Sequence, residues 1–315
     1  MAIRGFELGV DFKGGYSFNV TFDKNINVTP EKLRTSLRQA FEGNNPVVKA
    51  VDTENTYNIV TSYLINDQAE DAQDRVIEKL FQGVVAATGQ NLDKAAFLQS
   101  DGSGTRITTS SKVGPTIADD ISRSAFIAGT LALLVIFVYI FVRFSKATYG
   151  LGGVVALFHD TLITLGMFSL FRGILPFSLE IDQAFIAAIL TVIGYSINDT
   201  VIVYDRIREN INRYPTMDKT ELINKSINST LSRTLITSLT TLFSVFILFI
   251  FGGASIRGFA FALLLGIGFG TYSSVFVASA LLFDFTKGDR LADKAKIAKA
   301  EGPGKGFSTK ALEPK

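Results

Sequence analysis

The sequence contains no cysteine, which excludes both a disulfide framework and a thiolate metal site. It contains one histidine, His159, which removes multi-histidine metal centres. The net charge of the 315-residue chain is only +2, so no global basic field points to nucleic acid as a partner. There is no phosphate loop, no nucleophile beside a base and no cluster of metal ligands. The expectation is therefore a protein that is not an enzyme and uses no cofactor. What the chain has in abundance is hydrophobic residues, at 47%, yet 19% are charged and the mean hydropathy is +0.30. Those figures coexist through segregation. Residues up to about Asp120 are mixed and polar, and the rest alternates long apolar runs with short charged loops.

A helix needs about 20 mostly apolar residues to cross a hydrocarbon core of roughly 30 Å. Five segments qualify, at about 121–144, 149–171, 181–204, 231–251 and 258–285. The last is rich in Gly, Ser and Ala, which lets helices approach closely in lipid. Arg143 and Lys146 lie between the first two spans. Arg206, Arg208, Arg213, Lys219 and Lys225 lie between the third and fourth, and Lys287, Arg290, Lys294, Lys296 and Lys299 follow the fifth. The other two loops hold Arg172 and Arg257. The basic set predicts a multi-pass membrane protein with those loops cytoplasmic. Residues 1–118 are then a periplasmic domain, 119–286 the helix bundle and 287–315 a flexible basic cytoplasmic tail. A domain on the outer side needs a signal peptide or a preceding span, and MAIRGFELGVDFKGG supplies neither. The expectation is a missing first helix, through truncation, a late start or derivation from a longer polypeptide.

In the polar domain, Tyr16 to Phe22 alternates as a strand does, with Phe18, Val20 and Phe22 between polar neighbours. Thr29-Pro30 opens a helix with Leu33, Leu37 and Phe41 on one face, ended by Gly43. Val47 to Val51 and Tyr57 to Leu64 read as strands, and Asp67 to Ala87 as a helix buried through Val76, Leu80 and Val84. Phe97 to Gln99 and Thr105 to Thr109 are expected to add strand. This order predicts an α+β, ferredoxin-like split βαβ domain, serving binding or gating. The pair Gly14-Gly15 reads as a turn more readily than as an anion cradle.

Charge within hydrocarbon is costly, so each intramembrane ionisable residue is a candidate for function. Asp199 lies inside the third span, six residues before Asp205, or about 9 Å deep at 1.5 Å per residue. Arg233 opens the fourth span, which runs antiparallel, so the two groups are expected to approach each other. Tyr195 and Ser196 beside Asp199, and Thr237, Thr240, Thr241 and Ser244 after Arg233, predict a hydrated polar face. Two readings stay open: a protonatable carboxylate stabilised by arginine for ion movement, or a static buried pair that fixes helix packing. His159 and Asp160 in the second span form a secondary candidate. Asp205 reads as a solvated boundary charge.

Several segments also carry a resemblance. GVDFKGG resembles the GIDFxGG motif of SecD and SecF proteins, and VGPTIADDISRSA resembles their VGPxxxxxL stretch. FHDTLITLG, AAILTVIGYSINDTVIVYDRIREN, LSRTLITSLTTL and IFGGASIRGFAFALLLGIGFGTYSSVFVASAL are similar to successive SecF segments. The resemblance implies an α-helical membrane bundle of the RND superfamily, SecDF-like, with a ferredoxin-like periplasmic domain. It implies a subunit that pairs with SecD, or with the SecD half of a fusion. Together they use the proton or sodium motive force to draw preproteins from the SecYEG channel. In that family an aspartate of YSxxD and an arginine of RTL belong to the ion-coupling site, which maps here to Asp199 and Arg233; His159, Asp160, Ser196 and Thr237 stand around it as secondary polar residues. The family pattern has six spans where this chain shows five, and the acidic residue contributed by SecD lies on another chain or another part of a longer one. The rival expectations are a stand-alone RND-type small-molecule or ion transporter and a purely structural translocon scaffold.

Overall fold

A computed structural model describes residues 5–286 apart from 52–54, 68, 102–103, 173, 176 and 178. The expected basic tail, 287–315, lies outside the described residues. In chain order the elements are β1 (Glu7–Leu8), α1 (Val10–Lys13), β2 (Gly15–Thr21), α2 (Pro30–Ala40), β3 (Val47–Val51), β4 (Thr56–Thr61), α3 (Ala72–Thr88), α4 (Lys94–Phe97) and β5 (Arg106–Val113). Then follow α5 (Pro115–Phe144), α6 (Ala147–Phe171), β6 (Glu180–Ile181), α7 (Gln183–Arg213), α8 (Lys219–Phe251) and α9 (Ala254–Phe285). All five of the long helices α5 to α9 are long and apolar enough to cross a membrane. The chain divides into two compact units. Among the described residues, one comprises 5–130 with Thr164–Leu190 and Ser244–Leu264; the other comprises Leu131–Ile163, Thr191–Phe243 and 265–286.

In the first unit, β2 to β5 form an antiparallel sheet in the order β3-β4-β2-β5, the order of a ferredoxin-like split βαβ. Alternation along β2 sends Phe18 and Val20 inward, where Leu33 and Leu37 of α2 and Val76, Leu80 and Val84 of α3 complete a fully buried core. Thr29 caps α2 by accepting from Lys32 N, as its place before Pro30 predicts. One expectation fails: Phe97 to Gln99 is not strand. Asp93 Oδ1 accepts from Ala95 N at 3.0 Å and nucleates the short α4 instead, which still buries Phe97 completely. The helix expected from Asp67 starts at Ala72, because Asp67 folds back to accept from Ala69 N and pairs with Arg75. The chain turns from α1 into β2 at Gly14, which has φ +70°, and Gly15 opens the strand, where a Cβ would sit 2.9 Å from Thr61 O.

The segment before that turn leads to the start of α7. Strand β1 pairs in parallel with β6, and Gly9 N donates to Ile181 O at 2.9 Å. Two carboxylates then serve the N-terminus of α7, where orphan N–H groups and the helix dipole favour negative charge. Asp182 Oδ1 accepts from Phe185 N at 2.7 Å, and Asp11 Oδ2 from Gln183 N at 3.1 Å. Beside them Glu180 forms an ion pair with Lys49 of β3 with only 8% of its side chain exposed. Burial pushes the Glu180 carboxyl above the usual carboxylate range against the pull of Lys49, and Glu7 and Asp182 reinforce the rise. The stability that Glu180 contributes is thus fully present below the ordinary glutamate range and is lost as pH rises through its higher folded value. Glu180→Gln is expected to flatten the decline in thermal stability of the full chain as pH rises from about 4.3. Parallel wild-type and variant melting curves against pH would contradict this.

In the second unit, α7 and α8 differ from expectation in length. The basic stretch between the third and fourth spans is not a loop: α7 continues to Arg213 and α8 already begins at Lys219. The reason is an amphipathic pattern carried past the apolar runs. Ile207 and Ile211 of α7 and Leu222 and Ile223 of α8 are buried in one cluster, and Asn210 Nδ2 donates to Ser226 Oγ at 2.8 Å. Glycines set the close approaches in the bundle. A Cβ on Gly266 of α9 would lie 2.2 Å from Val192 Cγ2 of α7, and one on Gly152 of α6 would lie 2.6 Å from the Tyr204 hydroxyl. By contrast α5 exposes large apolar side chains, including Val142 at 70%, as a lipid-facing helix does.

Candidate functional site

The intramembrane polar residues of the second unit gather around α7, on two of its faces. Asp199 is buried, 1% exposed, although it stands in the middle of an apolar helix. Its Oδ2 accepts a hydrogen bond from Ser238 Oγ of α8 at 3.3 Å. Ser238 Oγ in turn accepts from Thr271 Oγ1 of α9 at 2.8 Å and from the Tyr195 hydroxyl at 3.4 Å. Ser238 thus links Asp199 to α9 and to Tyr195 through hydroxyl groups, which can each donate and accept. An ionised carboxylate is a stronger acceptor for Ser238 than a neutral carboxyl, so this hydrogen bond weakens when Asp199 takes a proton.

Arg233 does not form the expected ion pair with Asp199 among the described residues. It is exposed on α8, yet near enough for its charge to act on Asp199. The cause is helical register. The buried seam of α8 is Ser226, Thr230, Thr234 and Ser238, spaced by four, whereas Arg233 and Thr237 precede Thr234 and Ser238 by one residue, a rotation of about 100°. The hydroxyl of Thr237 turns back to its own helix, donating to Arg233 O at 3.1 Å, and Thr241 does the same to Thr237 O at 3.0 Å. On this stripe the hydroxyls of Thr237, Thr240 and Thr241 therefore lie against backbone carbonyls of their own helix.

On the other face of α7 the secondary candidates do assemble. Asp160 of α6 is 1% exposed. Its Oδ2 accepts from Ser196 Oγ of α7 at 2.8 Å and from Ser273 Oγ of α9 at 2.7 Å. Its Oδ1 is 3.1 Å from His159 Nδ1. Ser274 extends this network by donating to Ser196 O at 3.0 Å and accepting from Thr200 Oγ1 at 3.0 Å. Asp205, expected as a solvated boundary charge, is part-exposed and pairs with both Arg143 and Arg208 at 3.0 Å.

Comparison with known proteins gives these residues a family. The protein translocase subunit SecF of Rhodothermus marinus is 45% identical to this chain over 303 residues, which is 95% of this chain and 89% of that one. The chain belongs to the SecD/SecF family. The model for "Protein export membrane protein SecD/SecF, C-terminal" matches residues 93–288 and that for the "SecD/SecF GG Motif" matches residues 1–26. The SecF subunit of Haemophilus influenzae is 38% identical over 89% of this chain and 77% of its own length. A crystal structure of SecDF, a translocon-associated membrane protein from Thermus thermophilus, superposes with TM-score 0.71 at 34% identity. It covers 90% of this chain, and this chain spans 35% of it. The GG-motif match contains Asp11 and the Gly14-Gly15 turn, and the C-terminal match contains both carboxylate networks of this SecF-like bundle. Sequence reasoning missed Ser238, Thr271, Ser273 and Ser274. The signal for the first was the spacing of four from Thr230 through Thr234; the two serines of α9 lie in a run of small residues that reads as packing alone.

Proposed function

We propose that this chain is the SecF-side subunit of a SecDF complex that uses an ion gradient to promote protein export through SecYEG. The observation that carries the reading is Asp199: a carboxylate buried at mid-helix whose partners are hydroxyls and whose nearby cation, Arg233, stands on an exposed helix face. A buried carboxylate that can gain and lose a cation is the minimal part of an ion-coupling device. An arginine facing outward from a membrane helix calls for a complementary carboxylate from a second bundle, and the SecD half is the natural donor. In this reading the chain is a transport subunit and not an enzyme. Residues 1–118 are periplasmic, 119–286 lie in the inner membrane, and 287–315 are cytoplasmic, following the distribution of lysine and arginine. Its other contacts are the translocating preprotein and membrane lipid.

The test is preprotein translocation into inverted membrane vesicles with SecYEG and SecD, with and without this chain, under an imposed proton or sodium gradient. The expected result is stimulation by one of the two gradients only when the chain is present. Equal export in its absence would refute the motor reading.

A further inference from the structure

We propose that His159 and Asp160 form a second proton-binding site in the bundle, separate from Asp199. Asp160 draws polar groups from three helices. From α6 itself comes His159, from α7 Ser196, and from α9 Ser273, and all three lie within hydrogen-bond distance of the carboxylate. Gly270 of α9 makes room: a Cβ there would lie 3.1 Å from Ser196 and 3.5 Å from Asp160 Oδ2. The other carboxylate of this region, Asp199, makes its hydrogen bond to α8 and takes no part in this cluster.

The short contacts around Asp160 are hydrogen bonds. Here the serine oxygens approach Asp160 Oδ2 to 2.7 and 2.8 Å, the separation of a hydroxyl that donates its hydrogen directly to the carboxylate. The cluster is closed around hydrogen bonds. The one member that reaches its edge is His159, with a third of its side chain exposed while Asp160 is sealed.

Imidazole and carboxylate in contact titrate as a pair, so the bound proton belongs to the couple and moves between Nδ1 and Oδ1. With one proton the couple is neutral overall, which a membrane interior favours; without it a single negative charge remains, held by the two serines. Proton arrival at Oδ1 leaves Oδ2 a neutral carbonyl oxygen, a weaker acceptor for Ser196 and Ser273, so the hydrogen bonds that tie α6 to α7 and α9 weaken with occupancy. This reaches beyond the role proposed for Asp199 and does not depend on it.

The site is tested by infrared titration of the full chain in lipid nanodiscs, following the protonated-carboxyl band with pH. Asp160→Asn is expected to abolish one titrating component and leave the component lost in Asp199→Asn. His159→Gln, on a partly exposed side chain, is expected to keep the Asp160 component and shift its midpoint. Retention of every titrating component in Asp160→Asn would overturn the proposal, as would an unmoved midpoint in His159→Gln. The histidine variant decides the question if the asparagine variant does not fold. Neither readout involves export, so failure here and failure of the export reading are separate results.

Discussion

Asp199→Asn is expected to bring gradient-stimulated export down to the rate seen without a gradient, while the protein still folds and assembles. Asparagine has the same shape, and its amide oxygen can still accept from Ser238 Oγ, which lies 3.3 Å from the carboxylate. The seam formed by Ser238, Thr271 and Tyr195 therefore keeps its partners. What the substitution removes is the ability to carry charge and to bind a proton or cation. A residue that only glues helices tolerates that change, at a cost of about 1 kcal/mol for a weakened hydrogen bond. A coupling residue does not. Export into inverted vesicles, normalised to the amount of chain in the membrane, separates the two; stimulation equal to wild type would reduce Asp199 to a packing element.

Gly266→Val is expected to prevent stable accumulation of the protein in the membrane. The added Cβ would stand 2.2 Å from Val192 Cγ2, 2.7 Å from its Cγ1 and 3.0 Å from its Cβ. A β-branched side chain has no free rotation with which to yield, and it meets another β-branched residue on the facing helix. Overpacking in well-ordered cores typically costs 1–3 kcal/mol, and contacts this short put the expected loss at the top of that range, about 3 kcal/mol or more. The same helix supplies a control. A Cβ on Gly268 meets nothing within 4 Å, so Gly268→Ala is expected to leave the thermal midpoint and the membrane level near wild type. Equal midpoints for Gly266→Val and Gly268→Ala would contradict the packing account.

The fold was largely legible because its signals are periodic. Five apolar runs became five long helices, and the alternation at Phe18 and Val20, with the stripe at Leu33 and Leu37, gave the ferredoxin-like order. Failures came where a local hydrogen bond outweighed pattern. Asp93 turned Phe97 into the end of a helical turn, and Asp67 delayed the start of α3. The extensions of α7 and α8 were hidden because their buried faces are sparse and their outer faces basic. In the site, Asp199 and Asp160 announced themselves as charges in apolar runs. Their partners did not, since serine and threonine in a membrane helix serve packing, backbone bonding and side-chain networks alike. The choice between the stripe through Arg233 and Thr237 and the seam through Thr234 and Ser238 is one of helix rotation, which a sequence leaves open until the neighbouring helices are in position.

The central claim is that ion movement through the bundle passes by way of Asp199 and is tied to export. It is tested most directly by measuring ion flux and preprotein movement together in proteoliposomes that hold SecYEG, SecD and this chain. With wild-type protein, a moving preprotein is expected to accelerate decay of the proton or sodium gradient, and with Asp199→Asn that acceleration should vanish. Equal gradient decay in the two, with or without preprotein, would contradict the account.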